Sequence, residues 1–249
     1  MDTPLRKILT SLSEELGIKC ELFPPDNWTM RLSKNNHEFY VLGNSFDANS
    51  ADQALLYKDK AATYSVLDMV GIPAIPHFFI ESTNAITTYP TVIKPCHGNA
   101  GEDVFLCKNP DEATKAINII TTHNDLPCYS PFIDADFEYR NFYLDGNVIF
   151  CYKKERHNDW QHNLCHGATP VLLDQNSNIY KSITALAKQT GDALNAKFVT
   201  IDILEAKNGV LKVLEVNGNV SIDIFTERAP QGYEIAKDIY RQALQNLLQ

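Results

Sequence analysis

The chain has 249 residues, 44% of them hydrophobic, so it is long enough to bury a substantial core and does not have the composition of a disordered protein. Its net charge of −9 excludes duplex nucleic acid as an expected partner, because that partner rewards clustered Lys and Arg. No stretch approaches the roughly 20 apolar residues of a membrane span, and the N-terminus lacks the apolar run of a signal peptide.

The first part of the chain predicts a short segment rich in β-structure. Leucines at helical spacing predict a first helix, and short apolar runs broken by turn residues predict strands after it. Ser50 is a suitable N-cap for a second helix, and Gly71 and Pro73 end a third. The predicted helices are 4–16, 51–57 and 59–70, with strands between 19 and 46 and at 77–80.

From Pro90 onward the pattern becomes a strand (TVIKP), a glycine-containing turn, a strand (VFLC) and a helix over 110–122, which is typical of a compact nucleotide-binding α/β unit. After Pro127, short alternating runs predict mostly antiparallel sheet, with Asp145-Gly146 as a hairpin turn. A helix over 179–194, a hairpin over 198–217 and a closing helix over 232–248 complete the prediction.

The hairpin TIDILEAKNGVLKVLEVNG carries the most informative polar residues. Asn208-Gly209 predicts a two-residue turn, which places Asp202 opposite Glu215 and Thr200 opposite Asn217. Because side chains alternate along a strand, Asp202, Glu215 and Asn217 then project from one face.

Two opposed carboxylates are destabilising unless positive charge lies between them, and a divalent cation is the natural solution. Three oxygen side chains without a nearby His or Cys suit Mg²⁺ or Mn²⁺ and leave coordination positions for phosphate oxygens. The alternatives are a solvated pair at the rim of the sheet, which the apolar neighbours on both faces disfavour, and a glycosidase pair, which Asn217 and the lysines disfavour.

Two lysines and two glycines lie near the predicted nucleotide unit. Lys94 ends an apolar strand, and Gly98 and Gly101 in the following turn allow close backbone approach to phosphates. The turn lacks the GK[ST] ending of a Walker loop. Lys60 lies in a predicted helix, where a lysine is usually solvated.

The cysteines and histidines form no recognisable site by spacing. No CxxC pair occurs, so the six cysteines are interpreted as reduced, mostly buried thiols of a cytoplasmic protein. The loop histidines are interpreted as polar filling, although one could deprotonate an incoming amine. They are His97, His157, His162 and His166.

Six motifs, in this order and spacing, resemble those of the ATP-grasp superfamily over roughly residues 50–245. They are DKAATYSVLDMVGIPAIP, TVIKPCHGNAGEDV, FEYRNFYLDGNV, NLCHGA, IDIL and LEVNGN. The pattern looks most similar to ligases that add glutamate to ribosomal proteins or build amino-group-modified glutamate intermediates. Cyanophycin-type and D-alanine ligases look like more distant relatives.

The resemblance implies an α+β ATP-grasp fold, in which two α/β subdomains clasp the nucleotide. We expect a reduced N-terminal segment over 1–55 and an ATP-grasp domain over 56–249, divided into a small lid subdomain at about 77–130 and a larger catalytic subdomain at 131–249. Because the N-terminal segment is short, the substrate pocket is expected to be open, completed by a partner subunit, or shaped for something large.

The resemblance also assigns a nucleotide role to several residues. Lys60 and Lys94 would contact the phosphates and the adenine side, Gly98 to Gly101 would form a flexible phosphate lid, and Phe132 and Ile133 would receive adenine at a hinge. Asp202, Glu215 and Asn217 match the Mg²⁺ ligands, with two ions expected, in agreement with the hairpin argument.

On the substrate side, Arg140 matches a family arginine that would hold a carboxylate or the transferring phosphate, and its alternative is a surface ion pair with Glu138 or Asp145. Asn163 matches an asparagine near the acyl phosphate. Lys154 and Arg156 compete for the place of a preceding arginine. Gln161 stands where the ribosomal-protein ligases carry an arginine, so their acceptor preference is not carried over.

The function that this resemblance implies is a carboxylate-amine ligase that uses MgATP to form an acyl phosphate, which an amine then attacks. The substrates would be amino acids or peptides, without nucleic acid or membrane partners, and the protein is a possible homodimer. The alternatives are an ATP-grasp enzyme that needs no free amine, such as an acyl-phosphate-forming kinase or a peptide modifier, and a non-catalytic nucleotide-binding module.

Overall fold

A computed structural model describes residues 3–24, 28–98, 101–157 and 160–249. The helices are α1 (Pro4–Leu16), α2 (Ala51–Lys58), α3 (Lys60–Met69), α4 (Pro110–Thr122), α5 (Asn178–Ala193), α6 (Asp223–Arg228) and α7 (Gly232–Leu247). The first eight strands are β1 (Lys19–Phe23), β2 (Thr29–Lys34), β3 (His37–Leu42), β4 (Ser45–Phe46), β5 (Phe78–Phe79), β6 (Thr91–Pro95), β7 (Phe105–Cys107) and β8 (Pro127–Pro131). The remaining strands are β9 (Ala135–Leu144), β10 (Asn147–Glu155), β11 (Thr169–Leu172), β12 (Phe198–Ala206) and β13 (Leu211–Asn217).

The N-terminal segment is built from α1 and the N-terminal sheet, an antiparallel meander of β1 to β4. Thr3 caps α1, which ends at Gly17 in the left-handed conformation. Its leucines and isoleucine are buried in a core that also contains residues of β9, β10, β12 and α7. The ring of Phe46 contacts Phe198 at 5.1 Å and Tyr240 at 5.7 Å between centroids. The N-terminal segment therefore shares its core with the C-terminal half of the chain.

Helices α2 and α3 follow one another almost without a loop, close to the predicted helices over 51–57 and 59–70. Ser50 and Gln53 form a capping box at the start of α2. Asp59 then caps α3 by accepting a hydrogen bond from the N–H of Ala62 at 2.9 Å. Lys60 is consequently the first residue of α3, where its side chain can leave the helix end toward the neighbouring strand.

The lid sheet contains β5, β8, β6 and β7, in that order, with all neighbours antiparallel. Helix α4 covers it and buries Ile117 and Ile120 in a separate hydrophobic cluster with Ile93 and Cys107. Because this cluster is distinct from the other cores, the lid sheet has its own packing.

The large sheet contains β11, β10, β9, β12 and β13 in that order, again antiparallel. Helix α5 packs against one face through Ile183 and Ala187. Part of the opposite face continues into the core of the N-terminal segment through Phe142 and Tyr152. The polar residues of this second face are therefore the ones left to form a site.

The turn of the β12–β13 hairpin differs from the prediction. The N–H of Ala206 bonds to the carbonyl of Val210 at 3.0 Å, and Gly209 has a φ of 78°, so the loop comprises residues 207–209. The pairs next to the turn are one residue out of the predicted register. A bulge at Leu214 restores it, so Asp202 does lie opposite Glu215 and Thr200 opposite Asn217.

Within the described ranges, no helix is long and apolar enough to cross a membrane. The predicted domain limits at residues 55 and 130 fall within α2 and β8, respectively, and the division into domains stays a prediction.

Candidate active site

A cavity of about 440 Å³ lies between the lid sheet and the large sheet, a size typical of sites for small molecules. The lid sheet contributes Val92 and Lys94, and α3 contributes Lys60. The large sheet contributes a floor of charged and polar side chains from β9, β10 and β13. The cavity therefore brings together residues that the sequence spreads over more than half of the chain.

A row of side chains in register crosses this floor. Tyr152 on β10 pairs with Arg140 on β9, Arg140 with Asp202 on β12, and Asp202 with Glu215 on β13. Paired residues point to the same face of a sheet. Tyr152, Arg140 and Glu215 line the cavity, whereas Asp202 is buried beneath them and does not line it. The antiparallel pairing explains why these four distant positions meet.

Asp202 is completely buried, and both of its carboxylate oxygens are bound by cations of the chain. Arg140 donates from Nε to Oδ1 at 2.9 Å and from Nη2 to Oδ2 at 2.6 Å, and Lys154 Nζ lies 3.2 Å from Oδ2. Burial alone raises the pKa of Asp202, but the charges of Arg140 and Lys154 lower it to about 2. The positive charge expected beside these carboxylates is thus supplied, in this structure, by Arg140 and Lys154.

The partner of Arg140 was not among the expected ones. Its guanidinium pairs with Asp202 and lines the cavity, whereas a surface pair with Glu138 or Asp145 was the alternative. Asp145 instead pairs with Lys197 at 2.6 Å. The surface-pair alternative is wrong, because Arg140 lies in the middle of the central strand β9.

The structure separates the two candidates Lys154 and Arg156. Lys154 is 3% exposed, lines the cavity and contacts the carboxylates of Glu138 and Asp202. Arg156 lies just beyond the end of β10 and bonds to Asp134 Oδ1 at 3.0 Å at the surface. Lys154 therefore lies on the floor of the cavity and Arg156 lies outside it.

Glu138 is a site residue that the sequence argument did not assign. It is 4% exposed and lies two residues before Arg140, on the same face of β9, where it pairs in register with Lys154. Strand alternation from Arg140 is the signal that would have found it. Glu138, Lys154 and Asp202 are buried, and the Arg140 side chain is 20% exposed. The four form a largely buried quartet with equal numbers of positive and negative charges.

Glu215 and Asn217 line the cavity from β13, and Asn217 Nδ2 donates to Glu215 Oε1 at 3.3 Å. Opposite them is Lys94, 6% exposed. Burial lowers the pKa of Lys94, the charge of Glu215 opposes this shift, and Lys60 adds to it. A carboxylate and an amide oxygen at a cavity wall are the donor types that Mg²⁺ accepts, so these residues fit that ion.

Lys60 and the glycine turn meet at the mouth of the cavity. Lys60 Nζ donates to the carbonyls of Gly98 at 2.7 Å and Cys96 at 3.4 Å. Gly101 has a φ of 76°, and a Cβ there would lie 2.7 Å from Nδ2 of Asn163, which also lines the cavity. The middle of the proposed phosphate lid, residues 99 and 100, lies outside the described residues.

Phe132 and Ile133 lie in the segment that joins β8 of the lid sheet to β9 of the large sheet, and both line the cavity. This is the position expected of a hinge. The ring of Phe132 contacts Trp160 edge-on, with centroids 5.9 Å apart. The sequence argument missed Trp160, and no periodic signal marks this loop residue.

Comparison with known proteins gives one family. The family model described as RimK-like ATP-grasp domain matches residues 53–242. The chain is 24% identical over 172 residues to a D-alanine–D-alanine ligase from Clostridium beijerinckii, covering 64% of this chain and 56% of that protein. It is 25% identical over 146 residues to the "Uncharacterized protein MG012 homolog" of Mycoplasma pneumoniae, covering 58% and 48%.

Among solved structures, the D-alanine–D-alanine ligase from Bacillus anthracis complexed with ATP superposes with a TM-score of 0.62 at 14% identity, covering 77% of this chain and 66% of that one. At this identity the likeness concerns the fold. The chain spans about half the length of the curated relatives that it matches.

Proposed function

The chain belongs to the RimK-like ATP-grasp family, and we propose that it is a ligase that uses MgATP to join a carboxylate to an amine through an acyl phosphate. Its membership confirms the predicted ATP-grasp fold. The observation that carries the proposal is the composition of one cavity: Lys60 and Lys94 on the lid side lie across from Glu215 and Asn217 on the large sheet.

ATP is the nucleotide that we assign to this cavity. Lys60 and Lys94 are cations at its lid side. Burial lowers the pKa of Lys94, and a phosphate anion beside it would stabilise the charged ammonium. Adenine would lie against the hinge at Phe132 and Ile133, where backbone groups can read its edge. The Bacillus anthracis relative was solved with ATP, which supports this assignment.

Glu215 and Asn217 would hold Mg²⁺, and Asp202 would join them only when Arg140 releases its carboxylate. An ion held there would supply charge neutralisation to the phosphate oxygens during transfer. Anionic phosphates attract Arg140 and Lys154, so nucleotide binding itself favours that release. Asp202 would then exchange its ion pairs with Arg140 and Lys154 for the metal.

Activation of the substrate carboxylate is assigned to Arg140 and Lys154. A guanidinium and an ammonium on the cavity floor can hold a carboxylate oxygen near the γ-phosphate of ATP and stabilise the charge of the transferring group. Attack of the carboxylate on the γ-phosphorus releases ADP and leaves an acyl phosphate. Holding both reactants in one cavity removes much of the entropic barrier.

Completion of the amide requires an amine and the exclusion of water. Asn163 lies beside Gly101 and lines the cavity, so it is suited to orient the acyl phosphate when the glycine turn covers it. The amine attacks the acyl carbon, expels phosphate and loses a proton. The lid keeps water from competing for the same carbon.

The experiment that tests this function is ADP release by the purified chain with MgATP, measured against pools of amino acids and short peptides. Glu215→Gln removes one metal ligand at nearly constant volume and should lower ADP release at least about 100-fold, the usual cost of losing a charge-stabilising group. Glu234→Gln, an exposed acid in the first turn of α7, is the matched control and should keep the wild-type rate.

ADP release that requires both a carboxylate and an amine supports the ligase. Release that needs no amine would instead identify an enzyme that stops at an acyl phosphate or modifies a single peptide. ATP binding without ADP release in any pool, with wild-type and Glu215→Gln behaving alike, would contradict the proposal and favour a non-catalytic module.

A further inference from the structure

Outside the cavity, three potential metal ligands of different chemistry converge where α3 begins and β6 ends. Asp59, Cys96 and His97 each offer one ligand atom, and these atoms all lie within 4.8 Å of one another. Asp59 Oδ1 is 3.1 Å from Cys96 Sγ, and Asp59 Oδ2 is 3.5 Å from His97 Nε2. Tertiary folding brings the carboxylate to the other two across 37 positions of sequence.

His97 is oriented by a second carboxylate on its far side. Its Nδ1 lies 3.4 Å from Asp125 Oδ1, while its Nε2 faces Asp59. A histidine that binds a metal through one nitrogen usually donates its other N–H to a carboxylate, which fixes the tautomer. With Nδ1–H directed to Asp125, the lone pair of Nε2 points into the cluster.

Helix capping explains only part of this arrangement. Asp59 Oδ1 accepts a hydrogen bond from the N–H of Ala62, as an N-cap side chain does, and a second one from the thiol of Cys96. Capping uses Oδ1 alone. It gives no reason for Oδ2 to lie 3.5 Å from His97 Nε2, or for the imidazole to lie between Asp59 and Asp125. A cation beside Oδ2 accounts for both observations.

We propose that Asp59, Cys96 and His97 bind Zn²⁺. A thiolate, an imidazole and a carboxylate suit this borderline-soft ion and do not suit Mg²⁺. Tetrahedral bonds of about 2.0 to 2.3 Å place ligand atoms about 3.3 to 3.7 Å apart. Asp59 approaches Cys96 at 3.1 Å through Oδ1 and His97 at 3.5 Å through Oδ2, and the three ligand atoms lie within 4.8 Å of one another, so a small rearrangement brings them to that spacing. Binding converts the Cys96 thiol to a thiolate, and the proton is released to solvent.

The proposed zinc site lies directly behind the phosphate side of the cavity. Asp59 precedes Lys60, and His97 precedes Gly98, whose carbonyl accepts from Lys60 Nζ. The backbone N–H of Lys60 also donates to the carbonyl of Cys96 at 3.3 Å. Zinc would therefore tie the start of α3 to the root of the glycine turn, and its effect is on the stability of this junction.

Cobalt is the probe for this site, because Co²⁺ takes the same ligands and is coloured. The full chain, reduced and stripped with a chelator, is titrated with Co²⁺ while its absorption is recorded. We expect a thiolate-to-cobalt charge-transfer band and tetrahedral visible bands that saturate at one Co²⁺ per chain and disappear when Zn²⁺ is added. Zn²⁺ alone should raise the Tm.

Cys96→Ser and His97→Gln should each lose the charge-transfer band or weaken Co²⁺ binding about 10-fold or more, and both should lose the rise in Tm. Cys107→Ser is the matched control, since Cys107 is also a buried thiol of the lid sheet and contacts the carbonyl of Phe105. This variant should bind Co²⁺ as the wild type does.

Absence of the band in the reduced wild type would overturn the proposal. So would a band that persists in Cys96→Ser and disappears in Cys128→Ser, because the Cys128 thiol hydrogen-bonds to Cys96 and would then be the ligand. If Cys96→Ser does not fold, His97→Gln still decides, since the His97 side chain is 36% exposed and its loss leaves the core intact. Unchanged Co²⁺ affinity in that variant would refute the site.

Discussion

The largely buried quartet of Glu138, Arg140, Lys154 and Asp202 yields a prediction about stability that needs no ligand. Asp202→Asn keeps the shape of the side chain and removes its charge. The quartet then contains Arg140 and Lys154 with a single carboxylate, so positive charge is left uncompensated in a buried place. We expect this variant to be strongly destabilised.

The size of the effect follows from two independent estimates. The folded-state pKa of Asp202 is about 2, against about 3.9 in an unfolded chain, and this difference corresponds to roughly 2 to 3 kcal/mol at neutral pH. Removing one partner of a buried ion pair typically costs about 3 to 5 kcal/mol. We therefore predict a loss of about 3 kcal/mol, which for a chain of this length lowers the Tm by about 6 to 12 °C.

The assay is urea unfolding followed by circular dichroism, with thermal unfolding as a second measurement. Asp145→Asn is the matched control, because Asp145 pairs with Lys197 where both side chains are more than 40% exposed. A surface pair contributes about 0 to 1 kcal/mol, so this control should unfold close to the wild type.

The stability that Asp202 contributes should also depend on pH in a defined direction. Asp202 has a depressed folded-state pKa, so its contribution is complete above the unfolded pKa near 4 and is lost as pH falls toward about 2. The wild type and Asp202→Asn should therefore converge in stability across that window. A loss below about 1 kcal/mol at neutral pH, equal to that of the control, would refute the claim that Asp202 is a buried, ion-paired carboxylate.

Two further predictions concern the cavity wall. Gly101→Ala should slow ADP release about 10-fold, because its Cβ would meet Asn163 and a left-handed alanine adds about 1 kcal/mol of strain. Gly146→Ala is the control, since Gly146 is also left-handed but lies in open space. Equal rates of ADP release in the two variants would contradict the predicted clash with Asn163. Lys154→Met should abolish ADP release, whereas Arg156→Ala should retain it and change the unfolding free energy by less than about 1 kcal/mol. If Arg156→Ala abolished ADP release and Lys154→Met retained it, the roles assigned to the two residues would be exchanged.

The elements of the fold could be read largely from local sequence. The spacing of leucines in α1, the cap at Ser50 and the alternating runs of the large sheet predict helices and strands that form, whereas the cap at Asp59 was found in the structure. These signals act over a few residues, so they do not depend on the rest of the chain. The opposition of Asp202 and Glu215 was also predicted, although the turn and the bulge at Leu214 each shift the register and compensate for one another.

The charge partners within the site could not be predicted in this way. The sequence proposes that a metal balances Asp202, whereas the structure surrounds that carboxylate with Arg140 and Lys154 from two other strands. Strand order decides these contacts, because β12 lies beside β9 and β9 beside β10. The alternation of polar and apolar residues along one strand does not indicate which other strand will pair with it.

The sequence by itself therefore determined most of the secondary structure, the family resemblance and the acids of the hairpin, since periodicity and short motifs depend on residues close together in the chain. It did not predict α6. Only the tertiary structure decided that Lys154 and not Arg156 faces the cavity, and that Asp59, Cys96 and His97 meet behind it. Those outcomes depend on the pairing of segments far apart in the chain, and burial then makes each charged or metal-binding side chain depend on the neighbours that folding supplies.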